Sequence, residues 1–158
     1  MEHFEVSETV SLPIETVWEA HEDVHLLERI SPPFPVVRVL DSNIICGLGT
    51  RFTIRVELFE QIGIDWQVQI TRWEPPRRFI DKQLRGPFQF WEHIHQFIPI
   101  SDTETRLVDV INFELNPFLD STAIRWGLET MFQMRMNNLK QTLLNENFRR
   151  NLKNSDER

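Results

Sequence analysis

Residues 105–143 read TRLVDVINFELNPFLDSTAIRWGLETMFQMRMNNLKQTL, and the spacing of the apolar side chains changes once along this stretch. In its first part, Leu107 and Phe113 are an even number of positions apart, so that their side chains have the same parity and lie on the same face of a strand. This spacing indicates a strand with one buried face. Pro117 ends this strand, and residues 119–150 contain no further proline. At ~1.5 Å per residue, a helix of roughly 30 residues would be about 45 Å long, enough to cross a small sheet. Its apolar stripe at helical spacing consists of Ile124, Leu128, Met131, Phe132, Leu139 and Leu143.

The segments before this stretch show a strand-like alternation of apolar and polar residues. Each break between them has the length and composition of a hairpin connection, so an antiparallel meander is the economical topology. The breaks include residues 46–49, 74–76, 86–87 and 101–102. The consecutive strands predicted in this way are residues 36–40, 51–58, 62–70, 79–84, 89–98 and 105–115.

The first 35 residues predict one further strand and two short helices. In residues 2–10, the apolar side chains share one parity, as a half-buried strand requires. The first helix has Pro13 in its opening turn, where proline costs no hydrogen bond, and continues to His21. A second helical piece covers residues 24–30, and the prolines within residues 31–35 end it.

This order of elements predicts an α+β domain in which a curved antiparallel sheet of about seven strands wraps around a long C-terminal helix. The length of 158 residues suits one domain. We place that domain at residues 1–150 and a polar tail at residues 151–158. Such an arrangement encloses a volume, which is either filled by side chains or left as a pocket.

Composition restricts the classes of partner. With 17 basic and 24 acidic residues the formal net charge is -7, which predicts no nucleic-acid partner. No apolar run approaches the length of a membrane span. Cys46 is the only cysteine, so no intramolecular disulfide is possible, which fits a cytoplasmic location. The sequence leaves the oligomeric state open.

A local motif accompanies this element order. It comprises Trp73-Glu74-Pro75-Pro76, Phe79, Gln83, Gly86-Pro87-Phe88, Trp91, His93, His95 and Phe97. The motif and the element order resemble the START-like (helix-grip) superfamily, and within it a bacterial branch of polyketide cyclase/dehydratase-like proteins. An aspartate on the next strand, here Asp109, and an arginine in the last helix, here Arg135, also fit that branch. Residues 116–120 depart from it, because family members tend to be glycine-rich there. The resemblance implies ligand binding in the cavity, but fold membership alone does not assign chemistry.

The polar residues of two neighbouring strands are the candidates for chemistry. Alternation places His93 and His95 on one face with Trp91 and Phe97, about 7 Å apart along the strand at ~3.3 Å per residue. Asp109 lies on an apolar face of the next strand, where an unpartnered carboxylate would be costly.

Three interpretations of these residues remain open. His93 or His95 pairs with Asp109, and with Arg135, in a cluster that holds strands and helix in register. Alternatively, the cluster donates hydrogen bonds to the polar head of an apolar ligand, or a histidine tuned by Asp109 acts as a general acid/base. Arg135 itself either extends to the rim or points into the pocket. His-x-His with Asp109 supplies three metal ligands at best, so neither a metal ion nor another cofactor is predicted.

The leading functional hypothesis is binding of a small hydrophobic molecule, such as a lipid, an isoprenoid or a polyketide-like compound. One alternative is a cyclase or dehydratase that uses His93 or His95 with Asp109. Another is a protein-interaction module without a small ligand. The residues predicted to contact the ligand are Trp18, Phe34, Trp66, Phe79, Gln83, Phe88, Trp91, His93, His95, Phe113, Phe118, Trp126, Met131 and Arg135.

Overall fold

The structure is a computed structural model and describes residues 1–59 and 62–156. Glu157 and Arg158, at the end of the predicted tail, lie outside the described residues. The elements are β1 (Glu2–Val10), α1 (Ile14–His21), α2 (Leu26–Ile30), β2 (Val36–Val39), β3 (Arg51–Phe59), β4 (Ile62–Glu74), β5 (Arg78–Arg85), β6 (Phe90–Ser101), β7 (Glu104–Glu114) and α3 (Ser121–Asp156).

The seven strands form one curved sheet in the order β1-β7-β6-β5-β4-β3-β2. All neighbouring strands are antiparallel, so β2 to β7 form a continuous meander. The segment containing α1 and α2 carries the chain from β1 at one edge of the sheet to β2 at the other. The predicted α+β class, the seven strands and the two short helices are confirmed. The last helix continues to Asp156, past residue 150 where we expected it to end.

The core lies between one face of the sheet and the apolar stripe of α3. Phe132, Met136 and Leu139 of α3 are almost fully buried. They belong to one cluster with buried residues of β1 and β7, including Ile111 and Phe113. Among the described helices, none has both the length and the apolar character needed to cross a membrane.

Candidate functional site

Three adjacent strands bring four polar residues to the same place on the sheet. In the register of β5 and β6, Asp81 lies directly opposite His93. In the register of β6 and β7, His95 lies directly opposite Asp109. Asp81 was not predicted as a site residue. Its parity with Phe79 on β5 was the available signal, because that parity places both side chains on one face.

The two imidazoles are held between two carboxylates. His95 Nε2 is hydrogen-bonded with Asp81 Oδ2 at 3.0 Å, and His93 Nδ1 lies 3.8 Å from the same oxygen. On the other side, His93 Nε2 and His95 Nδ1 each lie 3.3 Å from Asp109 Oδ1. The ring centroids are 3.7 Å apart, so the rings lean together despite a strand spacing of about 7 Å. Each carboxylate therefore contacts both histidines.

Burial and neighbouring charges shift the pKa values of His93, His95 and Asp109 in different directions. Burial lowers the pKa of His93, and the nearby His95 adds to that effect. For His95, burial is outweighed by hydrogen bonds with Asp109 and Asp81, and the pKa rises. For Asp109, burial is outweighed by both histidines, and the pKa falls well below its usual value. The cluster therefore consists of an ionised Asp109, a neutral His93 and an imidazole at His95 that readily holds a proton.

Arg135 enters the same region from α3. Its guanidinium carbon lies 4.6 Å from the centroid of the Phe132 ring, and its Nε is buried without a hydrogen-bond partner. With the side chains and backbone groups that the structure describes, the guanidinium forms no hydrogen bond or ion pair. Burial lowers the pKa of Arg135, with Asp109 and Asp81 opposing that effect. Of the two orientations left open by the sequence, the structure shows the one directed into the pocket.

These residues line a cavity of about 130 Å³ between α2, α3 and the sheet. Most of the remaining wall is apolar. Asp23, an exposed residue in the segment between α1 and α2, also lines this cavity. Predicted site residues found in the wall are Trp66, Phe79, Trp91, His93, His95, Asp109, Met131 and Arg135.

Residues 1–144 match the family model described as polyketide cyclase / dehydrase and lipid transport. The chain belongs to this family. Among solved structures, Zhui aromatase/cyclase from Streptomyces sp. R1128 is similar, with 22% identity, a TM-score of 0.68 and coverage of 94% of each chain. A START superfamily protein from Mycobacterium smegmatis has 12% identity and a TM-score of 0.72, covering 90% of this chain and 97% of that chain.

A third similar structure is TTHA0849 from Thermus thermophilus, with 17% identity and a TM-score of 0.70 over 92% of this chain and 99% of that chain. At these identities the structural likeness shows the fold alone. No curated protein has a significant match to the chain. The family and the helix-grip fold suggested by the sequence motif are thus established, whereas the motif itself stays a resemblance.

Several predicted ligand contacts in this cyclase/dehydrase-family chain lie outside the cavity wall. Trp18 is a buried residue of α1, and its ring packs against Trp73 at 4.7 Å between centroids. Gln83 holds the β5–β6 connection, because its Nε2 donates to the Phe88 carbonyl at 2.6 Å. Phe88 packs against the core, and Phe113 is fully buried within it.

Three other predicted contacts are on the surface. Phe34 is 60% exposed, Trp126 71% and Phe118 95%, and the structure places none of them in the cavity wall. Phe118 lies in the connection between β7 and α3, which local periodicity does not describe. Trp126 precedes Phe132 by six residues, which corresponds to about 120° around a helix of 3.6 residues per turn. Trp126 therefore faces away from the stripe that covers the sheet.

His21, at the end of α1, is a cavity-lining residue that was not predicted as part of the site. Its Nδ1–H donates to the Val17 carbonyl at 2.7 Å, and its ring centroid lies 6.3 Å from that of His95. Burial lowers its pKa to about 4. Only the helix position of His21 was evident from sequence, because its approach to the cluster depends on how α1 packs on β6.

The neutral His21 predicts a pH dependence of stability. Between pH 6.5 and 4 the unfolded chain protonates this histidine and the folded chain does not, so acid lowers the free energy of unfolding. The shift from 6.5 to about 4 would correspond to about 3 kcal/mol at ~1.4 kcal/mol per unit. We expect about 2 kcal/mol, since the ring retains some solvent screening.

The measurement is urea unfolding at pH 6.5 and pH 4.5. His21→Gln should lack this part of the loss, whereas His25→Gln, which changes an exposed histidine on the surface, should retain it. Equal losses in wild type and His21→Gln would contradict the assignment.

Proposed function

We propose that this protein binds one small hydrophobic molecule in the cavity and that Arg135 donates hydrogen bonds to an oxygen atom of that molecule. The observation that carries the proposal is a guanidinium that lines an apolar cavity and has no hydrogen-bonding partner in the described chain. A buried charged donor without a partner is costly. A carboxylate, phenolate or carbonyl oxygen of a ligand would satisfy it.

The volume limits the part of the ligand that is enclosed. An engineered apolar cavity of roughly 150 Å³ takes up benzene, whereas pockets for drug-sized ligands are roughly 300–1,000 Å³. A cavity of about 130 Å³ therefore suits one aromatic ring or a short branched hydrocarbon unit. The second ring of a fused pair, or a longer isoprenoid or polyketide-like chain, would extend towards the exposed Asp23 at the edge of the wall.

The geometry of the histidines favours binding over acid/base catalysis. Both ring nitrogens of His93 and both of His95 face Asp81 or Asp109 at 3.0–3.8 Å. Each imidazole nitrogen of this pair thus faces a carboxylate, although His93 Nε2 completes no hydrogen bond, whereas Arg135 forms neither a hydrogen bond nor an ion pair with a described group. We therefore propose that the two histidines hold the polar end of the cavity and that Arg135 contacts the ligand.

We also propose that the protein acts in the cytoplasm and has no nucleic-acid partner. The net charge of -7 opposes binding to a phosphate backbone. Burial raises the pKa of the Cys46 thiol to about 11, which makes the only cysteine a poor nucleophile.

The test uses 2-naphthoate as a fluorescent carboxylate probe and naphthalene as its neutral counterpart, alongside native mass spectrometry of the purified protein. We expect 2-naphthoate to bind with a stoichiometry of one. Arg135→Met should weaken it about 10–100-fold, since a hydrogen bond to a charged group contributes ~1.5–3 kcal/mol. Naphthalene binding should be unaffected by that substitution.

A second test places a larger side chain in the cavity wall so that it fills the space for the ligand. Ile54 lines the cavity from β3, so Ile54→Trp should abolish binding of both probes. The matched control is Gln67→Trp, which adds the same side chain at an exposed position of β4. Unchanged 2-naphthoate binding in Ile54→Trp would refute the proposed cavity site.

A further inference from the structure

The two histidines divide their ring nitrogens between the two carboxylates in a regular way. One nitrogen of each ring, His93 Nδ1 and His95 Nε2, is directed at Asp81 Oδ2. The other nitrogen of each ring is directed at Asp109 Oδ1. A cluster that served only to neutralise one charge would need a single contact for each imidazole. Here each ring faces both carboxylates, His93 with Nδ1 and His95 with Nε2 towards Asp81.

We propose that Asp81, His93 and His95 bind one divalent first-row transition-metal ion, with Asp109 orienting both imidazoles. This goes beyond the small-molecule binding proposed above and does not depend on it. The three donor atoms all lie within 4.8 Å of one another, and two of the separations are 3.0 and 3.8 Å. Metal bonds of ~2.0–2.2 Å to nitrogen and oxygen in a tetrahedral site place donors roughly 3.3–3.5 Å apart. Small side-chain adjustments therefore suffice.

Asp109 can accept a hydrogen bond from the second nitrogen of each imidazole, as carboxylates beside metal-bound histidines do. A metal-bound imidazole donates its remaining N–H to a carboxylate or carbonyl, which sets the tautomer and raises the basicity of the bound nitrogen. Asp109 Oδ1 lies 3.3 Å from His93 Nε2 and 3.3 Å from His95 Nδ1. In the free protein His95 Nε2 donates to Asp81, so a metal ion would displace that proton. With Asp109 holding the protons on His93 Nε2 and His95 Nδ1, the lone pairs of His93 Nδ1 and His95 Nε2 are then available beside Asp81. Asp109 thus fixes the tautomer that metal binding requires in both rings.

Charge and ligand type indicate the class of ion. Two nitrogens and one carboxylate suit Zn²⁺, Fe²⁺ or Co²⁺, whereas Mg²⁺ and Ca²⁺ prefer oxygen ligands. Arg135 offsets one of the two buried carboxylates, so a dication bound at the cluster leaves a net charge of about +1. Three protein ligands leave at least one coordination position, and the cavity adjoins all three residues. An anionic oxygen or a water molecule would complete the coordination.

The experiment titrates chelator-treated protein with Co²⁺, followed by visible absorption, and with Zn²⁺, followed by calorimetry. We expect one equivalent per chain and cobalt bands typical of four- or five-coordination. Asp81→Asn and His95→Gln should abolish stoichiometric binding. Asp109→Asn retains all three ligands and should weaken binding about 10–100-fold. His25→Gln removes the exposed His25–Glu28 pair and should leave binding unchanged.

Wild-type protein that binds neither ion, or an unchanged stoichiometry in Asp81→Asn and His95→Gln, overturns the proposal. Circular dichroism checks that each variant is folded. If a variant does not fold, nitrogen-15 spectra of histidine-labelled wild type test directly whether the histidine nitrogens bind the metal ion. Zn²⁺ should shift His93 Nδ1 and His95 Nε2, and the absence of a shift overturns the proposal. Because no organic molecule is present, this outcome is independent of the 2-naphthoate result.

Discussion

Asp109→Ala is expected to lower the free energy of unfolding by about 3–5 kcal/mol, the usual cost of removing one partner from a buried charge cluster. The Asp109 side chain is 14% exposed and lies 3.3 Å from a nitrogen of each histidine. Without it, Arg135 loses the carboxylate that opposes the effect of burial on it most strongly, and His95 loses one of its two carboxylates. Urea unfolding followed by tryptophan fluorescence at pH 7 measures the change.

Asp65→Ala is the matched control, because the Asp65 carboxylate is 54% exposed and contacts Arg55 at 2.9 Å. A surface ion pair contributes about 0–1 kcal/mol, so this variant should change little. The double variant Asp109→Leu with Arg135→Met should recover part of the loss, since removing both buried charges avoids leaving one uncompensated. Equal effects of Asp109→Ala and Asp65→Ala would show that Asp109 does not compensate buried charge.

Phe132→Ala should also lower the free energy of unfolding by about 3–5 kcal/mol, the range for a large aromatic truncated in a core. The Phe132 side chain is 2% exposed and packs edge-on against Phe4 and His93. It also lies beneath the guanidinium of Arg135. The loss therefore combines apolar burial with the support of two groups at the polar end of the cavity. Thermal and urea unfolding report it.

Phe118→Ala provides the comparison, since that phenylalanine is 95% exposed. A surface substitution of this kind should stay within about 0.5 kcal/mol of wild type. It should also leave 2-naphthoate binding unchanged, in contrast to the ligand contact predicted for Phe118 from sequence. A loss of stability comparable to that of Phe132→Ala would contradict the packing described for these two side chains.

Local periodicity was sufficient to predict the helices and strands and to predict which side chains share a face of the sheet. The alternation along residues 89–98 put His93 and His95 on one side, and the same rule put Asp109 on an apolar face of the next strand. The structure places all three side chains in the cavity wall. These predictions succeeded because the direction of a side chain in a strand depends only on its parity.

The position of Asp81 in the cluster could not be predicted from parity alone. Its parity with Phe79 was available, but its contact with His93 requires the exact alignment of β5 with β6. That alignment is set by the connection between the strands, where the Gln83 side chain hydrogen-bonds to the backbone of Phe88. A shift of one residue would move every side chain of β5 to the other face.

The order of the elements, the α+β class and the shared face of the two histidines could be read from the chain, because these follow from hydrophobic period and turn residues; the helix-grip assignment came from the resemblance of the motif and the element order to that superfamily. The approach of Arg135 from α3 and of His21 from α1 to the cluster on β5, β6 and β7 became apparent only in the folded chain. The same holds for the surface positions of Phe34, Phe118 and Trp126. The rotation of a helix over a sheet and the path of a loop depend on packing between distant segments, which the period of a single segment does not contain.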